Sequence, residues 1–192
     1  MPDGLAGLVA KAALGVALLA LVLVVIHRLF FSFMSQAPGD YADTGPAFDL
    51  RQTLNGPLIA NGVIYGPTGR VAARFVADME GRWDAEGGTL AESFRYDSGR
   101  TQDRAWRIAT GSDGRFTATA DDVVGPGEGI ISGATATLRY RLRLPAEAGG
   151  WELDVTDWLY RVEDGTVVNR AQFRRFGVLL GELVATIRPV RQ

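Results

Sequence analysis

Two charged residues break an otherwise apolar register. Glu92 stands in phase between Leu90 and Phe94, and Arg104 stands two residues before Trp106 on the next predicted strand. If those apolar neighbours face inward, so do the charges. Burying an unpaired ion is costly or shifts its pKa, so Glu92 and Arg104 are predicted to pair. Such a pair is either structural, fixing register or closing one end of the fold, or the polar end of a ligand cavity. In the second case the planar fork of Arg104 meets a carboxylate or phosphate, and Trp83, Tyr96, Trp106 and Tyr140 supply apolar walls. Aromatic residues at strand spacing also serve as plain core.

Two further groups carry chemistry. Asp121 and Asp122 end a predicted strand before the loop of Gly125, Gly127 and Gly129, where paired acids could hold Ca²⁺ or act as acid and base. Asp is equally a turn former, and adjacent strand side chains point to opposite faces. Asp157-Trp158 and Asn169-Arg170 lie on neighbouring predicted strands, where an Asp accepting from Arg170 with Trp158 on the guanidinium would lock a hairpin. From Arg28 to Gln192 there is no Cys, His or Lys. That excludes His-based nucleophilic triads, His- or Cys-ligated zinc and Lys Schiff bases. Carboxylates, hydroxyls and Arg remain, so a carboxylate-pair hydrolase is the enzyme class left open. No cofactor is implied.

The elements that must position these residues alternate with period two from Leu54 onward. Phe75, Ala77, Met79 and Trp83 share a face, as do Leu90, Phe94 and Tyr96, and Trp106 and Ile108. Further strands are expected at Pro57–Tyr65, 115–120, 129–144, 151–160, 166–176 and 179–189. Turn signals fall at Gly66-Pro67-Thr68-Gly69, Glu86-Gly87-Gly88, Ser112-Asp113-Gly114 and Glu163-Asp164-Gly165. The fold class is therefore all-β, with about nine antiparallel strands. A sandwich and an up-and-down barrel both fit, and the long arms favour the barrel because closure removes exposed edges.

Before this domain, expected at 49–192, comes an apolar run from Ala12 to Ile26 that continues past His27 and Arg28 to Phe33. Its length suits a membrane-crossing helix at 1–34, and a cleaved secretory signal is the rival reading. Lys11 and Arg28 nearly balance across it, and an N-in orientation puts the domain in the periplasm, held at the inner membrane by a single pass. Residues 35–48, rich in Gly, Pro, Asp and Ala, read as a flexible linker. The formal net charge of −2 with no basic block argues against nucleic acid as a partner.

Gly81-Arg82-Trp83, Glu92-x-Phe94-x-Tyr96, Arg104-x-Trp106, the run 120–125, Tyr140-x-Leu142-x-Leu144-Pro145, Asp157-Trp158, Asn169-Arg170 and Phe176-Gly177 together resemble the bacterial family catalogued as domain of unknown function 3833. The resemblance covers about Leu54 to Ile187. It implies a proteobacterial envelope protein, often a lipoprotein, with a lipocalin-like β fold, encoded near fatty-acid-modifying enzymes. It brings no catalytic residues. The lipobox Cys of lipoprotein members is missing, and a transmembrane helix takes its place. Three functions follow: a membrane-tethered barrel that binds or presents a lipid or fatty acid for a membrane-associated fatty-acid-modifying enzyme, a structural or protein-docking module of the envelope, and a carboxylate-dependent hydrolase.

Overall fold

The computed structural model describes residues 2–190 and divides the chain into two compact units, Met1–Ala37 and Pro38–Gln192. The first is dominated by helix α1, Pro2–Phe30. Within it Gly4–Arg28, 25 residues, is long and apolar enough to cross a membrane, a test that a signal sequence also passes.

In the second unit ten strands close into an antiparallel barrel. They are β1 (Gly56–Tyr65), β2 (Val71–Trp83), β3 (Gly87–Tyr96), β4 (Thr101–Thr110), β5 (Arg115–Thr119), β6 (Gly127–Ser132), β7 (Thr135–Arg143), β8 (Glu152–Arg161), β9 (Val167–Arg175) and β10 (Val178–Pro189). Each pairs with its sequence neighbours, and β1 pairs with β10 to complete the ring. The sequence reading of about nine strands is one short, because the expected arm at 129–144 is two strands. Gly133, at φ +51°, turns the chain between them, and a Cβ there would sit 1.9 Å from the Tyr41 carbonyl oxygen.

Up-and-down order puts the turns alternately at the two ends. One end is plugged. Phe48, Leu50 and Leu54 are buried there, around the short helix α2 (Leu50–Thr53). The Asp49 side chain caps α2 by accepting from the backbone N–H groups of Arg51 at 2.8 Å and Gln52 at 3.1 Å. Arg51 donates to the carbonyls of Asp84 and Ala85 and to Thr110, tying the plug to two turns of that end. At Gly81 the plug touches the wall so closely that a Cβ would lie 1.8 Å from the Leu54 carbonyl oxygen.

Residues 38–48, read from composition as linker, instead form a strap on the outside of the barrel near the plugged end. The Tyr41 ring packs on Trp158 and Tyr160 at 5.3 and 5.8 Å. The Phe48 N–H donates to Gly133, the Ala134 N–H donates to Thr44, and Arg161 donates to Ala47. Among the described residues no such plug fills the barrel end formed by the β1–β2, β3–β4, β5–β6, β7–β8 and β9–β10 turns.

Candidate ligand cavity

A cavity of about 600 Å³ opens at the unplugged end. Its walls are inward-facing apolar side chains from seven strands, among them Ile64, Phe75, Phe94, Leu142, Leu153, Phe173 and Leu183. Tyr65, Pro67, Leu144 and Trp151 ring the mouth, and Arg104 with Asp122 form the floor. A second, smaller space of about 80 Å³ lies against the same Phe75, Phe94, Arg104, Phe173 and Leu183, and adds Glu92, Trp106, Tyr140, Asp157 and Asn169. Phe75 sets an edge contact with Phe94 at 5.4 Å and lies 6.2 Å from Tyr96, and Phe94 stacks on Tyr96. The Tyr96 hydroxyl donates to Gln102 on the wall, and Arg100 lies over its ring at 4.6 Å.

Arg104 does not form its ion pair with Glu92. The two are cross-strand neighbours in register, yet the guanidinium donates from Nε at 3.0 Å and Nη2 at 2.6 Å to Oδ2 of Asp122. Asp122 is the less buried of the two acids, its side chain 28% exposed at the cavity floor. An ion pair there loses less hydration than one at Glu92. Glu92 instead holds its proton to higher pH: burial pushes its carboxyl up to about 7, against the pull of Arg104 and of the Trp106 indole. Burial likewise pushes Asp157 up to about 6, opposed by the amide N–H of Asn169 and by Arg104. The Tyr140 phenol is held above its ordinary range, first by burial and then by Asp157. For Arg104 burial opposes the charge, but Tyr140, Glu92 and Asp122 outweigh it and raise the pKa further. The exposed remnants of Glu92, Tyr140 and Asp157 face the space they line.

Six of the residues singled out from sequence thus meet: Glu92, Arg104, Trp106, Tyr96, Tyr140 and Asp157. Trp106 and Tyr140 form an edge-to-face pair at 5.2 Å. Four lie elsewhere. Asp121 points outward, 94% exposed, 3.5 Å from Arg107, because its neighbour Asp122 takes the inward position. Trp83 leaves the interior at the plugged end, where its indole donates to the Leu54 carbonyl at 2.8 Å and it lines a surface groove of about 360 Å³. Trp158 is buried on the outer face beneath the strap, stacked on Tyr160. Arg170 pairs with Glu182 across β9 and β10 at 3.1 Å, and Asp157 accepts from Asn169. Parity explains Asp121, Trp158 and Arg170: 153, 155 and 157 face in, so 158 faces out, whereas Trp83 keeps the inward parity and is set apart by its place beside the plug. The same rule, carried from Phe116, Ala118 and Ala120, finds Asp122, and carried from Val167 and Ala171 it finds Asn169. Among the described residues no group of three or more His, Cys, Asp or Glu could hold a metal ion.

The profile of the family described as "Protein of unknown function (DUF3833)" matches residues 27–189. The chain belongs to that family. No curated protein matches it in sequence. Solved structures match the barrel. An S-type phycobiliprotein lyase, CPES, from Guillardia theta has 6% identity and a TM-score of 0.53, over 73% of this chain and 90% of that one. Rv2717c from M. tuberculosis has 14% identity and a TM-score of 0.51, over 78% of this chain and 100% of that one. A DUF3598 protein from Nostoc punctiforme has 10% identity and a TM-score of 0.51, over 76% of this chain and 51% of that one. At these identities the likeness is one of fold, a closed lipocalin-like barrel.

Proposed function

We propose that the protein is a membrane-tethered barrel that binds an amphiphile with an acyl-sized apolar part, a lipid or fatty acid, and presents it to a membrane-associated enzyme of fatty-acid modification. One observation carries the binding: an apolar cavity of about 600 Å³, open at one end and closed by a polar floor. That size lies inside the ~300–1,000 Å³ range of small-ligand sites, and apolar walls with few convergent polar groups are their usual lining. Tethering rests on the apolar helix. The partner enzyme and a periplasmic place on the inner membrane rest on the family resemblance and the Lys11–Arg28 balance.

The test uses the full chain in lipid nanodiscs, titrated with stearic acid brominated along its chain. All four Trp residues lie beyond residue 82, and Trp106 and Trp151 line the two spaces, so the fluorescence reports the barrel alone. The expected result is saturable quenching at one ligand per chain, reversed by unbrominated stearate and weakened in Leu183→Arg. Quenching that rises without saturation and ignores Leu183→Arg would refute binding.

The docking reading has its own support. Phe176, at the tip of the β9–β10 hairpin, is 88% exposed with φ +50°, a conformation a bulky residue rarely takes. Val178 and Trp151 are exposed nearby in sequence or contact, and Arg175 lies over the rings of Trp151 and Phe176 at 4.5 and 5.0 Å. An apolar hairpin tip of this kind suits a protein or lipid surface.

A further inference from the structure

The polar atoms at the base of the cavity do not balance. Nε and Nη2 of Arg104 are committed to Asp122. The Trp106 indole lies beside Glu92 and favours its charged form, and the Asn169 amide donates to Asp157 and to the Trp158 carbonyl. Two acceptors are left over: Glu92 Oε2 and Asp122 Oδ1 are both shielded from solvent and have no hydrogen-bond partner. Buried polar groups in native proteins are nearly always satisfied, so each leftover atom asks for a partner from outside the chain. The space beside Glu92, about 80 Å³, exceeds the ~10–15 Å³ that one water requires.

We infer that this base is a head-group subsite for a hydrogen-bond donor, so that the cavity takes an amphiphile with a hydroxyl or an ammonium at its inner end in preference to one with a carboxylate or phosphate. The inference rests on the binding reading above and narrows its ligand. Three carboxyl groups, Glu92, Asp122 and Asp157, face a single guanidinium already engaged with one of them. An anionic head entering here would face these three acids against one guanidinium whose charge is already shared with Asp122. A hydroxyl or ammonium supplies the donors that Glu92 Oε2 and Asp122 Oδ1 lack. The aromatic pair Trp106 and Tyr140 beside this space adds an electron-rich wall for an ammonium.

The titratable groups that face the subsite come from four strands and one loop, the lining from β1, β2, β9 and β10 being neutral. They are Glu92 on β3, Arg104 on β4, Asp122 after β5, Tyr140 on β7, and Asp157 on β8. As Asp157 and then Glu92 ionise, near 6 and near 7, the subsite gains negative charge while Arg104 and Tyr140 keep their states. Affinity for an ammonium head therefore rises from pH 5.5 to pH 8, affinity for a carboxylate head falls, and a hydroxyl head changes least.

Four twelve-carbon probes separate the outcomes: dodecan-1-ol, dodecylamine, dodecanoate and dodecane, each competed against the brominated stearate on the full chain in nanodiscs. At pH 8 dodecylamine and dodecanol are expected to bind at least about tenfold more tightly than dodecanoate, the factor one charge-assisted hydrogen bond carries. Glu92→Gln is expected to shrink the advantage of dodecylamine and confine its pH dependence to the range near pH 6 where Asp157 titrates. Dodecanoate binding as tightly as the alcohol and amine overturns the inference while leaving the cavity reading intact. So does dodecane matching dodecanol, which means the base is filled by water and reads no head group. Failure of all four probes and of the stearate to bind refutes the cavity reading itself.

Discussion

Glu92→Gln should make the barrel more stable at pH 8, and the gain should vanish in acid. In the folded chain burial raises the Glu92 carboxyl from 4.5 to about 7. Below pH 4.5 the folded and unfolded states both hold the proton, and the group contributes nothing to the difference. Between 4.5 and about 7 the unfolded chain releases the proton while the folded chain keeps it, so wild-type stability falls as pH rises. Above 7 both have lost it, and the full cost remains. At about 1.4 kcal/mol per pH unit the shift corresponds to roughly 3 kcal/mol. Part of that shift is owed to Asp157, whose own titration is coupled to it, so about 2–3 kcal/mol is expected at pH 8.

Gln keeps the shape and an acceptor oxygen but never ionises. The assay is thermal or urea unfolding of the full chain in non-ionic detergent, followed by Trp fluorescence at pH 4.5 to 8.5. For a unit of this size about 2–3 kcal/mol corresponds to roughly 5–10 °C in Tm. Asp157, raised from 3.8 to about 6, should leave a residual slope in the variant that ends near pH 6. Equal stability slopes for wild type and Glu92→Gln between pH 6 and 8 would refute the reasoning. So would a variant less stable than wild type at pH 8, because either result means Glu92 finds a partner or solvent that the geometry lacks.

Arg104→Met should destabilise the barrel by about 2–3 kcal/mol at pH 8, below the ~3–5 typical of a fully buried pair, because the partners keep 16% and 28% exposure. It should also move the Glu92 titration to higher pH, visible as a stability slope that persists above pH 7. A loss under about 0.5 kcal/mol would show the pair to be peripheral. Phe176→Gly should stabilise the barrel by up to about 1 kcal/mol, since glycine occupies φ +50° without the Cβ penalty and Phe176 has little burial to lose. Destabilisation on this change would mean the ring is held by more than Arg175.

Barrel, strand faces and the inward charges were legible because a period of two is a geometric fact of strands and every long arm carries it. Glu92 and Arg104 announce themselves as charges in the inward phase, whereas the sequence reading sets Asp157 with Arg170 as a hairpin lock and leaves its inward phase, after Leu153 and Val155, unused. Pairing was not legible, because strand register places Glu92 opposite Arg104 while desolvation decides which acid the long guanidinium reaches. Asp121 was preferred over Asp122 where parity carried past the end of β5 would have reversed the choice. Trp83 keeps the inward parity but falls at the plug, and the plug itself came from residues 48–54, whose two-turn apolar pattern is too short to separate from a loop. The strap at 38–48 shows a limit of composition: Gly and Pro mark a bend, and only the presence of Trp158 and Gly133 on the far side makes that bend a contact.

The carboxylates under the floor bear on function through their cost. A barrel that required only a core would be more stable with a neutral side chain at 92, and position 157 makes the same case again. Folded at neutral pH, the chain carries two acids that burial drives toward protonation, with acceptor atoms left unsatisfied at the inner end of a cavity otherwise lined by Phe, Leu and Ile. Local rules of stability are broken in natural proteins chiefly where a site needs the broken group. Here the breaks converge on one point, the end of the path that a ligand entering between Tyr65 and Trp151 would follow. Had the acids been scattered over the barrel wall, register or solubility would account for them. Their convergence beneath an open apolar cup is the arrangement that supports the proposed binding of an amphiphile.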